Sequence, residues 1–137
     1  MHLSIEYFSN SCEDLIDKYL SFLSDAQQQQ KFWVESSSNS LSSLDFVELM
    51  ITDIDKLFAT AEYKHYANCE ALLLLKELFK QVEGFYINIE TAAQLSNKDK
   101  LLNDPQWIKI HNLSKKVATD LRIFISQLRS KGSIKNA

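Results

Sequence analysis

Two glycines and one proline stand in 137 residues, and that scarcity constrains the fold more than any motif does. Tight turns draw on Gly, which tolerates positive φ, and on Pro, which pre-sets the turn backbone. Sandwiches, barrels and dinucleotide-binding folds need many such turns. The chain therefore reads as all-α, with long helices and few connections. Its length suits a single domain over 1–137. An irregular antiparallel bundle of four or five helices is the simplest way to bury its apolar stripes.

Those stripes recur at helical spacing. Residues 1–8 alternate in polarity and read as an extended arm or a first helical turn. A helix over 11–35 carries Leu15, Ile16, Tyr19, Leu23, Ala26 and Trp33 on one face. The Gln27, Gln28, Gln29, Gln30 run inside it reads as a solvated helical stretch, because glutamine is a good helix former. Six serines in 36–43 mark a loop. A second helix starts near Leu44 and is lined by Val47, Met50, Ile51, Ile54, Leu57 and Phe58. A third, over 66–83, has the widest apolar surface and is expected to be central, with Gly84 as its C-terminal stop. A fourth covers 85–95, and 96–104 is polar loop. Asp104-Pro105 is a helix start, with Asp as cap and Pro at the first helical position. That last helix reaches about Lys131, ahead of Gly132 and a frayed end from about 132. At 1.5 Å per residue it is roughly 40 Å long.

Charge is unevenly spread. Residues 1–60 carry ten acids and three bases, whereas 105–137 carry one acid and seven bases. An acidic face attracts basic partners and speeds their association. The other reading is that the two ends attract each other within the fold. The two cysteines, Cys12 and Cys69, show neither metal-ligand spacing nor a disulfide framework, which fits a reducing compartment. Residues 1–8 have no signal-peptide pattern, and no apolar run is long enough to span a membrane. The chain reads as a whole small cytoplasmic protein.

Several constellations bear on chemistry. Ser43-Leu44-Asp45-Phe46-Val47-Glu48-Leu49-Met50 resembles the phosphopantetheine attachment site of acyl carrier proteins. That resemblance implies a prosthetic arm on Ser43, with Asp45 and Glu48 as recognition charges. It covers eight residues, Ser42 replaces the family's preceding aspartate, and a serine cap with an acidic first turn explains the same letters. Glu62-Tyr63-Lys64-His65 has the Glu-x-x-His spacing of di-iron bundles, but neither His2 nor His111 supplies a second pair. Cys69 lies four residues after His65 on a shared helix, a spacing at which side chains touch, and precedes an apolar block where a thiol is inert. Cys12 sits near a helix N-terminus, which lowers a thiol's pKa, but no His is near it in sequence, and both cysteines read as structural. The glycine spacing excludes a phosphate-cradling loop. Asp53 and Asp55 point to different helix faces. The basic set Lys109, Lys115, Lys116, Arg122, Arg129, Lys131 and Lys135 has no helix-turn-helix frame around it, which argues against sequence-specific DNA binding.

No catalytic, cofactor-binding or metal-binding constellation survives, so the chain is expected not to be an enzyme. It reads as a small interaction protein that regulates or neutralises a basic protein partner. The expected contact residues are Trp33, Asp45, Glu48, Asp53 and Asp55, acting by electrostatic steering and aromatic anchoring. In size, acidity and helical design it resembles bacterial immunity and antitoxin proteins, a likeness of type carried by no motif. The alternatives are a carrier modified on Ser43 and a homodimer that binds nucleic acid through its basic C-terminal helix.

Overall fold

The structure, a computed structural model, describes residues 4–31, 43–88 and 101–135. The fold is all-α. Among the described residues there is no strand, and no helix is long and apolar enough to cross a membrane. The elements are α1 (Ile5–Leu15), a π turn (Ile16–Leu20), α2 (Ser21–Leu23), α3 (Ala26–Gln29), α4 (Ser43–Phe58), α5 (Ala61–Tyr66), α6 (Glu70–Ile87) and α7 (Pro105–Lys135).

The first rod begins earlier than the periodicity predicts. Ser4 is extended and its hydroxyl accepts from the Tyr7 amide, so it caps α1 six residues ahead of the expected start. The rod is also not continuous. A π turn interrupts it at Ile16, and at Ser24–Asp25 the helix stops and restarts. Asp25 is extended and takes the Gln28 amide at 3.1 Å, as an N-cap does. Thr60 makes a similar joint between α4 and α5. Its hydroxyl donates to the Leu57 carbonyl and accepts from the Tyr63 amide.

The third predicted helix is one helix, but it starts four residues later than expected. α5 ends at Tyr66, and Cys69 is the N-cap position of α6. Gly84 is not a stop: α6 runs through it to Ile87 with no positive φ. Phe85 therefore belongs to α6 rather than opening a fourth helix, and 89–95 lie outside the described residues. At the start of α7, Asp104 accepts from the amides of Gln106 and Trp107, as the Asp-Pro signal implies. α7 continues through Gly132 to Lys135 instead of ending ahead of it.

Contacts fix the relative directions. Phe8 meets the ring of Phe124, while Leu23 meets His111 further up the chain, so the first rod and α7 run oppositely. Tyr19 reaches Asp53 and Phe22 reaches Phe46, which makes α4 antiparallel to the first rod. Phe58 packs on Phe79 and Tyr86 reaches Glu48, which sets α6 antiparallel to α4. α7 packs against α6, α1, the π turn and α2, so it holds the central place expected of the third helix. It can do so because its buried face is wide, roughly 120° of the helix at 3.6 residues per turn. Ile110, Val117, Leu121 and Phe124 bury one stripe, and the small Ser114 and Ala118, with Ile125, bury a second. Buried residues of all these rods form one core cluster.

Candidate functional site

The predicted contact residues gather on α4, apart from Trp33, which lies outside the described residues. Helical geometry divides the rest. Glu48 and Asp55 are two turns apart on one flank, and Asp53 is roughly 140° around the helix from Glu48 at 3.6 residues per turn. Asp45, Glu48 and Asp55 are exposed, and Asp53 is half-buried. One acidic patch therefore becomes an exposed acidic face with Asp53 turned away from it.

Each flank is held by a tyrosine from a neighbouring element. The Tyr86 hydroxyl, from α6, donates to Glu48 at 2.8 Å. The Tyr19 hydroxyl, from the π turn, donates to Asp53. Both phenols are raised above their ordinary value. For Tyr86 the bond to Glu48 is the main cause. For Tyr19 burial comes first, then the bond to Asp53 and its charge. Between the flanks stands Leu49, 46% exposed. It falls outside the stripe of Val47, Met50 and Ile54, so its apolar side chain is left in water. Tyr19 and Leu49 escaped the sequence reading as site residues, Tyr19 because it belongs to the core stripe, and Tyr86 fell in a separate helix. Leu49 did carry a signal, because it is the leucine that breaks the phase of its helix.

Beside Asp53, α1 and the π turn on one side and α4 on the other form an open cleft of about 180 Å³ lined by Asp14, Lys18, Tyr19, Asp53 and Lys56, among others. A second hollow, of about 430 Å³, lies between the start of α6 and α7 and includes Cys69 and Lys116.

Cys12 is buried and Cys69 half-buried, as the structural reading expects, but their places relative to the helix ends differ from it. Cys12 is not near a helix start, since α1 opens seven residues earlier. It is fully buried, and burial pushes its pKa up to about 12 rather than down. Cys69 and His65 do not share a helix, because α5 has ended between them. Glu62 accepts from the Ser4 amide, and His65 stands edge-on to Tyr66. Among the described residues no three His, Cys, Asp or Glu side chains group as metal ligands would. Ser43 is the first residue of α4.

Most of the aromatic residues are core. Phe8, Tyr66 and Phe124 form one mutual cluster, and Phe85 packs on Trp107. On α7, Arg129 pairs with Glu13 at 2.7 Å and also donates to Asn10. Part of the C-terminal basic charge thus answers the acidic N-terminus within the molecule. Lys109, Lys115, Lys116 and Arg122 are exposed.

Comparison of the chain with models of protein families, with curated proteins and with solved structures finds no match.

Proposed function

We propose that this chain acts by binding, not by catalysis, and that it takes a basic protein partner on the outer face of α4. The observation that carries the reading is Glu48, held by the Tyr86 hydroxyl, standing beside half-exposed Leu49 on the face that also bears Asp55. A free surface carboxylate loses side-chain entropy when a partner fixes it. One already held by a neighbouring hydroxyl loses less, so it binds at lower cost. Asp45 and Asp55 add negative potential that steers a basic surface inward, and Leu49 supplies apolar area to bury once contact is made. In its narrower form the reading is that of a cytoplasmic bacterial immunity or antitoxin protein covering a basic toxin. Size, acidity and the all-helical fold support it.

The test is charge reversal. With the partner in hand, E48K/D55K slows association at least about tenfold at low salt and flattens its salt dependence, since steering acts on the on-rate. Rates unchanged by the double reversal contradict the proposal.

A further inference from the structure

We propose that the cleft between the π turn and α4 is a binding site for a small zwitterion of amino-acid size. The ligand's cationic end would face Asp53 and its anionic end would face Lys18 and Lys56. This site stands apart from the partner face and does not depend on it.

The argument begins with unspent charge. Asp14, Lys18, Asp53 and Lys56 all line the cleft. Among the described residues none of the four makes an ion pair, and the bond from Tyr19 is the polar contact that Asp53 receives. Asp53 is half-buried beside a phenol that is 6% exposed. A carboxylate drawn out of water is costly unless a cation or several donors answer it. One oxygen takes the Tyr19 proton, and an ionised carboxylate has acceptor sites to spare. An ammonium entering the cleft fills them. Asp14, exposed, lines the same cleft and strengthens the same preference.

The lysines decide the other end. A site for a simple cation gains nothing from two ammonium groups at its rim, where they repel the ligand. Two carboxylates and two ammoniums, unpaired with one another, select a molecule that carries both signs. The size agrees. At about 180 Å³ the cleft is smaller than a drug-sized pocket, which starts near about 300 Å³. The backbone supplies an independent pointer. Lys18 and Tyr19 come from a π turn, a rare element that recurs at functional sites.

Three probes of one length separate the claims: 6-aminohexanoate with both charges, hexylamine with the cation alone, and hexanoate with the anion alone. Each is titrated into the full ¹⁵N-labelled chain and followed by amide shifts. The expected result is a saturable response at Lys18, Tyr19, Asp53 and Lys56 for 6-aminohexanoate. Its Kd should be on the order of tens of millimolar, as two exposed ion pairs give. Either half-molecule binds at least about fivefold more weakly. K56Q, at an exposed position, keeps the remaining spectrum unchanged and weakens the zwitterion to the level of hexylamine, and D53N abolishes the response. The proposal is overturned if no saturable shift appears, if the shifts map elsewhere, or if hexylamine binds as well as the zwitterion.

Discussion

Gln29 does the most unexpected work of any single residue. It lies in a run of four glutamines that reads as solvated, yet it is 1% exposed. Its amide nitrogen donates to the Phe22 and Leu23 carbonyls at the break, where the Phe22 carbonyl also takes the Asp25 amide. Its amide oxygen accepts from the buried indole of Trp107 at 2.9 Å, and His111 adds a bond to the Leu23 carbonyl. Composition cannot single out one glutamine among four, because the choice depends on which of them meets α7. We therefore predict that Gln29→Ala costs about 2 kcal/mol in urea unfolding, since it takes this acceptor from the buried Trp107 indole, while the Phe22 and Leu23 carbonyls keep the Asp25 amide and His111. Gln28→Ala, one residue away and exposed, changes stability by less than about 0.5 kcal/mol. Equal effects would remove the latch from the account. Cys12 gives a pH prediction. Its thiol moves from an ordinary 9.0 to about 12 in the fold, so the unfolded chain gives up this proton first. The contribution to stability is complete below pH 9 and is lost as pH rises from 9 towards 12. Cys12→Ala should reduce the alkaline fall in stability within that window by up to about 1.4 kcal/mol per pH unit. An identical slope in wild type and variant contradicts it.

At the scale of elements, the helices were legible and several of their ends were not. α4 and the start of α7 stand where the stripe and the Asp-Pro signal place them, because apolar phase and a local cap agree there. Where a cap competes with an unbroken stripe, phase misleads. Asp25 with Gln28 three residues on is a capping pattern, hidden because Leu23 and Ala26 keep the stripe going. Glycine misled in the opposite direction. Gly84 and Gly132 look like stops, yet both lie inside helices, and a Cβ at Gly84 would meet nothing within 4 Å. Gly84→Ala should therefore stabilise the protein by about 1 kcal/mol, the helix-interior difference between the two residues. Destabilisation would mean that α6 does end at Gly84. Conversely, Asp104→Ala removes the acceptor for two amides and should cost about 1 kcal/mol in the same unfolding assay.

Across the whole molecule, the charge asymmetry of the sequence has two destinations. One part is internal: Arg129 of α7 joins Glu13 and Asn10 of α1, and Arg122 and Asp17 line the same hollow. Such an exposed pair contributes little to stability, but it withdraws that basic residue from any outside partner. The rest stays outside, as the acidic face of α4. The acids of that face were legible from sequence. The tyrosines that hold Glu48 and Asp53 were not, because Tyr86 and Tyr19 arrive from other elements. The central claim is that this face holds a basic protein, and native mass spectrometry tests it most directly. The chain and its E48K/D55K variant are each purified from the protein's own host, and native and denaturing masses are compared. The account predicts a second, basic chain on the wild type that leaves on denaturation and is lost from the variant. A second chain retained equally by the variant, an unaccompanied wild-type chain, or a covalent mass of phosphopantetheine on Ser43 would contradict it.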